Sequence, residues 1–143
     1  MFNRHKNIEL RFIKTWPEKD IVELYKAGGW WKDSYDPSGI KSLIEGSFAF
    51  AVAIDSKKEK AIGMGRILSD GVSDAYIQDM VVLPEYRKSG VGKNLVNFLL
   101  NHCLSKGIKW IGLIAEPNQD KFYSPLGFKT MENYIPMKYK TEE

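Results

Sequence analysis

The chain has 143 residues, 43% hydrophobic and 27% charged, an ordinary balance for a globular protein and enough length for one domain with a sizeable core. Its 21 Lys and Arg against 18 Asp and Glu leave a net charge of +3, which suits an anionic ligand but is too weak and too dispersed to argue for nucleic acid. A single cysteine, Cys103, rules out an intrachain disulfide and makes a reducing cytoplasm the expected setting; Met1 to Lys6 shows no secretory signal, and no apolar run approaches a membrane span.

Ile8 to Lys14 alternates apolar and polar residues and predicts a first strand. Pro17 suits the first turn of a helix whose apolar face is Ile21, Val22, Leu24 and Tyr25, ended by Gly28-Gly29. Asp36-Pro37-Ser38 starts a second helix carrying Ile40, Leu43 and Ile44, with Gly46 as its stop. Phe48 to Asp55 and Ala61 to Ser69 read as strands, joined by the charged turn Ser56-Lys57-Lys58-Glu59. Asp70-Gly71 makes the next turn, and Ala75 to Leu83 a fourth strand. Val91 to Lys106 is helical in pattern, Lys109 to Ala115 a fifth strand, Asn118 to Leu126 a short helix, and Phe128 to Tyr139 one or two last strands. No repeat or linker interrupts residues 1–143, so one domain is expected.

The sharpest chemical signal is Arg87-Lys88-Ser89-Gly90-Val91-Gly92-Lys93, between the apolar run Met80 to Pro84 and the long helix. A strand that turns through glycines into a helix leaves unpaired N–H groups at the positive end of the helix dipole, an anion site suited to a pyrophosphate. A P-loop would need glycine where Arg87 stands and Ser or Thr where Asn94 stands; a dinucleotide fingerprint would need glycine at Leu95. What remains is Arg-x-x-Gly-x-Gly. Downstream, Glu116-Pro117-Asn118 is followed by Phe122-Tyr123-Ser124-Pro125-Leu126-Gly127-Phe128. Together, in this order, the two motifs resemble the GCN5-related N-acetyltransferase (GNAT) superfamily, over roughly Ile40 to Tyr139.

That resemblance implies an α/β (α+β) fold. The sheet would be mixed, mostly antiparallel, of about six to seven strands with about four helices, splayed between its fourth and fifth strands for the pantetheine of acetyl-CoA. The implied activity is direct acetyl transfer from acetyl-CoA to a primary amine of a small molecule, arylalkylamines and polyamines among them. A protein lysine or N-terminus as acceptor, or a non-catalytic acyl-CoA-binding regulatory domain, is the alternative. The resemblance places the cofactor on the backbone of the fourth strand near Val81 and Leu83, with Val82 between them. It places the pyrophosphate on the N–H groups from Lys88 to Gly92, through Ser89, Gly90 and Val91, with Arg87 and Lys93 adding charge. It also gives Asn118 a hydrogen bond to pantetheine, a helix N-cap being the other use of an Asn there.

Tyr123 is the candidate general acid, because a phenol with a pKa of about 10 can protonate a departing thiolate; packing between Phe122 and Phe128 is the alternative. Asp79, Glu85 and Glu116, with Asp74 behind them, are candidate bases. Asp79 leads because it interrupts an apolar stretch, where partial desolvation would favour proton uptake. Alternation puts it on the face of Ile77 and Val81. Satisfaction by Arg66, or no dedicated base at all, stays open. Trp30, Trp31 and Tyr35 either wall the acceptor or cap the core, and Asp33, Asp36 and Glu45 could form an acidic rim. His5 and His102 are too far apart, and too far from other ligands, to suggest a metal. A homodimer is compatible with the family, though no segment compels it.

Overall fold

The computed structural model describes residues 7–141. His5, and the Met1 to Lys6 segment read for a signal, lie outside them. Contacts divide the chain into two compact units, one ending at Leu113 and one starting at Ile114.

The first unit runs β1 (Ile8–Phe12), α1 (Glu18–Ala27), α2 (Gly39–Gly46), β2 (Ala49–Asp55), β3 (Lys60–Ser69) and β4 (Asp74–Val82). A 3-10 turn (Pro84–Tyr86), α3 (Val91–Ser105) and β5 (Trp110–Gly112) complete it. The strands form one sheet in the order β1-β2-β3-β4-β5. The first four pair antiparallel and β5 joins β4 in parallel, so the expected mixed sheet is present.

The two faces of the sheet are unlike. A Cβ on Gly63 would lie 3.1 Å from Leu95 Cδ1 and 3.4 Å from Ala53 Cβ, and one on Gly65 would lie 2.8 Å from Leu99 Cδ1. Gly63, Gly65 and their cross-strand partners Ala53 and Ala51 therefore make a floor of very small residues under α3. Phe12, paired with Ala51, closes the floor by stacking on Phe98 of α3 with centroids 4.3 Å apart. Leu95, Val96 and Leu99 are fully buried there. Successive strand residues point to opposite faces, so Arg66, next to Gly65, points the other way, toward Tyr25 of α1. Ile21 and Leu24 of α1 and Ile40 and Ile44 of α2 are buried at helical spacing.

The second unit contains α4 (Asp120–Tyr123), which continues into a 3-10 turn (Ser124–Leu126) ending at Gly127. Here the expectation of six to seven strands is corrected. Five strands are present among the described residues, and Phe128 to Tyr139 forms none. Alternation alone does not make a strand, because its N–H and C=O groups need a paired neighbour. In this segment Asn133 takes a positive φ of 68° in a turn closed by the Tyr134 N–H on the Met131 carbonyl, and Pro136 removes a donor. The fifth strand is also shorter than Lys109 to Ala115, and the fourth helix starts at Asp120 rather than Asn118.

Candidate active site

The site begins where β4 and β5 part. Their pairing covers Asp74 to Tyr76 against Trp110 to Gly112 and goes no further. From Ile77 to Val82, β4 keeps β3 on one side and, among the described residues, has no strand on the other. Leu83 donates its N–H to the Ile62 carbonyl at 2.8 Å, which uses that group toward β3. Alternation of backbone direction then turns Val82 to the open edge. Of Val81, Val82 and Leu83, the three residues expected to offer backbone pairing, Leu83 has its N–H spent on β3 and Val82 is the one turned to the open edge.

Beyond β4 the chain is pinned by side chains. The buried Tyr86 donates its hydroxyl to Asp55 Oδ2 at 2.6 Å, tying the 3-10 turn to the end of β2. That bond, then burial, pushes the Tyr86 phenol up to about 12, and the same bond holds the Asp55 carboxyl below its ordinary value. Arg87 Nε donates to the Val82 carbonyl at 2.8 Å, folding the side chain back along the strand end. Ser89 Oγ donates to the Tyr86 carbonyl at 2.5 Å.

Gly90 caps α3 in the left-handed region, with φ of 88° and ψ of 0°, where a side chain is strained. Lys88 also has a positive φ, 61°. The first helical bond runs from the Asn94 N–H to the Gly90 carbonyl at 3.0 Å. The N–H groups from Lys88 to Lys93 donate no hydrogen bond among the described residues. Lys88, Ser89, Gly90 and Lys93 are exposed, Gly92 is half-buried, and Val91 is buried against the core. The result is an accessible row of N–H groups at the positive end of a helix of 15 residues.

Asp79 lies at an irregularity that the sequence pattern hid. Between Met64↔Val81 and Arg66↔Gln78 the β3–β4 register shifts, so Asp79 and Met80 together face Gly65, and Asp79 has φ of 58°. This β-bulge breaks the alternation. Ile77 pairs with Ile67 and Val81 with Met64, which lie on opposite faces, so the expectation of a common face for Ile77, Asp79 and Val81 is corrected. Met80 goes to the α3 side, over Gly65. Asp79 goes to the α1 side. There its Oδ2 accepts hydrogen bonds from Tyr25 Oη at 2.7 Å and from Arg66 Nε at 2.7 Å. The ion pair to Arg66, one of the two uses weighed for Asp79, is therefore made, with side chains 16% and 22% exposed. Burial, and then the Asp79 charge, push the Tyr25 phenol far above its ordinary value.

The aromatic residues after α1 gather on the same Tyr25. Its ring lies 6.2 Å from that of Trp30 and 6.5 Å from that of Trp31, and Tyr35 meets Trp31 edge-on at 5.5 Å. Trp30, Trp31 and Tyr35 are half-buried, so they pack and still show ring surface. Sequence reasoning missed Tyr25, which reads as one more apolar residue of an amphipathic helix. The signal available was its hydroxyl, since a buried Tyr needs a hydrogen-bond partner. Asp33, Asp36 and Glu45 are exposed, and Asp36 accepts the Ser38 N–H in a local turn. Glu85 and Asp74 are exposed at the two ends of the β4 region.

Tyr123 and Asn118 belong to the second unit. Tyr123 stacks on Phe122 with centroids 4.9 Å apart and meets Phe128 edge-on at 5.8 Å, so it does pack between them. Its hydroxyl makes no hydrogen bond among the described residues. Burial, and then the Glu116 charge, push the phenol above its ordinary value, which keeps it protonated at neutral pH. Asn118 is exposed with φ of 67°, and the N-cap of α4 is Gln119, so the capping alternative for Asn118 is not realised. Glu116 is exposed. Among the described residues no group of three or more His, Cys, Asp or Glu is placed to hold a metal ion, and no helix is long and apolar enough to cross a membrane.

An open strand edge running into a glycine-turned helix cap forms a candidate anion-binding site on a mixed sheet. Residues 9–128 match the model of the acetyltransferase (GNAT) family, and the chain belongs to that family. It is 35% identical over 119 residues to GCN5-related N-acetyltransferase 2, chloroplastic, from Arabidopsis thaliana, covering 80% of this chain and 45% of that one. The chain thus spans less than half the length of that relative. A solved GNAT family acetyltransferase from Streptococcus pneumoniae superposes with a TM-score of 0.78 at 24% identity, over 95% of this chain and 99% of the other. AAC(6')-Iy, solved with the bisubstrate analog CoA-S-monomethyl-acetylneamine, superposes with a TM-score of 0.72 at 19% identity, over 94% and 99% of the two chains.

Proposed function

We propose that the chain is an acetyl-CoA-dependent N-acetyltransferase that moves an acetyl group directly to a primary amine of a small molecule. The observation that carries this reading is the open edge of β4 running into a turn whose N–H groups are unbonded. An amide-bearing arm fits along such an edge, and a pyrophosphate fits the cradle at its end. Family membership supports the same cofactor.

When bound, acetyl-CoA supplies the thioester; the chain's residues hold it and handle protons. Val82 offers backbone pairing to the arm. The N–H groups of Lys88 to Gly92, with Arg87 and Lys93, neutralise the diphosphate. Trp30, Trp31 and Tyr35 offer ring faces that attract an ammonium or an aryl group, and Asp79 supplies the negative charge beside them. The amine attacks as the neutral form; its nitrogen bonds to the thioester carbon and the carbon–sulfur bond breaks. The proton released by nitrogen passes to Asp79 Oδ1 or to water. Tyr123, the Tyr of the Tyr-x-x-x-Gly-Phe pattern, gives its proton to the departing sulfur. Support for a small acceptor comes from AAC(6')-Iy, whose bound analog is a CoA-linked small molecule. The proposed setting is the cytoplasm, with buried Cys103 kept reduced.

The test is thiol release from acetyl-CoA against arylalkylamines, polyamines, amino acids and lysine peptides, with Gly90→Glu as control. Release with one amine class, abolished by Gly90→Glu, is expected. Release with lysine peptides alone makes the acceptor a protein. Acetyl-CoA binding without release to any amine makes the domain regulatory, and no binding at all overturns the reading of the glycine turn.

A further inference from the structure

We infer that Tyr25 and Arg66 are positioning residues for the acceptor amine: they clamp Asp79 by one oxygen, Oδ2, and leave Oδ1 as the group that meets the ammonium. This rests on the transferase reading above and assigns a role within its acceptor site.

A bulge and a pair of donors converge on Asp79. Its φ of 58° is unusual for a residue with a side chain, and strain of that kind persists only where surrounding structure holds it. The bulge separates the face of Asp79 from that of Ile77 and leaves the carboxylate on the α1 side with Arg66. Two donors from different elements, one on α1 and one on β3, then reach the same oxygen, each at 2.7 Å. A carboxylate that served only to neutralise Arg66 would be satisfied without Tyr25. No hydrogen bond to Oδ1 is made among the described residues. Tyr25 also carries the ring against which Trp30 and Trp31 lie, so one residue sets both the carboxylate and the aromatic wall. The stretch of β4 that bears Asp79 is the stretch without a β5 partner, so the clamp stands at the open edge. The chemistry selected is an amine that pairs a cationic nitrogen with an aromatic or apolar body.

The experiment is steady-state kinetics on the wild-type chain, Tyr25→Phe and Arg66→Lys, with the best amine of the panel. Tyr25→Phe keeps the ring packing and removes the hydroxyl. Arg66→Lys keeps the charge and removes the Nε donor. In each variant the amine KM should rise about tenfold, the loss expected when a charged carboxylate loses one of its positioning bonds, while the acetyl-CoA KM stays within twofold of wild type. If one variant fails to fold, the other carries the same comparison. Unchanged amine KM, or equal rises in both KM values, overturns the inference and leaves the transferase reading standing. A wild-type chain that transfers to no amine overturns the transferase reading and this inference with it.

Discussion

Replacing Gly28 by alanine separates two opposing effects that the structure allows to be weighed. Gly28 follows α1 with φ of −78°, a backbone that any residue adopts, so alanine alone would stabilise the chain by about 0.4–1 kcal/mol through the unfolded state. The added methyl would lie 2.5, 2.6 and 2.9 Å from three ring atoms of Trp30. Carbon contacts are comfortable at about 3.5–4.0 Å, and an indole cannot yield one atom at a time, so the whole ring must swing away. Overpacking of this kind costs about 1–3 kcal/mol, which exceeds the entropic gain and leaves a net loss of about 1 kcal/mol. Gly46→Ala is the matched control, because a Cβ there meets nothing within 4 Å. Urea unfolding followed by circular dichroism should place Gly28→Ala below wild type and Gly46→Ala above it. The double variant Gly28→Ala with Trp30→Ala should show no further loss from the Gly28 change, since the clashing ring is gone. If Gly28→Ala proves as stable as Gly46→Ala, the packing of Trp30 on the helix end is refuted.

Two further outcomes are expected. Tyr123→Phe should lower kcat by about 100-fold or more while leaving the acetyl-CoA KM near wild type. A general acid works only while protonated, so the wild-type alkaline limb should fall above the ordinary tyrosine pKa of about 10; a rate that falls near pH 8 would exclude Tyr123 as the acid. Tyr86→Phe should destabilise the chain by about 1 kcal/mol at pH 7. Because the Tyr86 hydroxyl depresses the Asp55 carboxyl, its contribution is present above the unfolded value of about 3.9 and is lost as pH falls through the lower folded value. The gap in Tm between wild type and Tyr86→Phe should therefore close in strong acid; a gap independent of pH would show that Asp55 is not the partner that matters.

Much of the fold was legible because it depends on local rules. The alternation of Ile8 to Phe12, the charged turn after Asp55 and the glycine entry to α3 each occur where expected. The glycine turn with its row of unbonded N–H groups was legible for the same reason, since the turn and its helix are adjacent in sequence. Three features were not. The bulge at Asp79 depends on how β3 and β4 share register, which no single strand encodes, and it parts Asp79 from the face of Ile77 that alternation had given it. Tyr25 meets Asp79 across 54 residues, a separation with no local pattern. Phe128 to Tyr139 has the composition of a strand without the pairing, which depends on a neighbour rather than on its own residues.

The floor of small residues under α3 has a mechanical meaning. An α-helix of 15 residues is a stiff rod about 22 Å long, and this one is seated where Gly63 and Gly65 let Leu95 and Leu99 approach the sheet. Its first turn carries the row of N–H groups, while its seat lies midway along. A methyl added at Gly63 would act as a shim beneath a lever and displace the tip that carries those N–H groups. The backbone edge of Val82 belongs to the sheet and would stay behind. The sheet's smallest side chains thus act as a gauge that sets the span from strand edge to helix cap. In such a design a residue with no side chain can set the fit of a ligand it never touches.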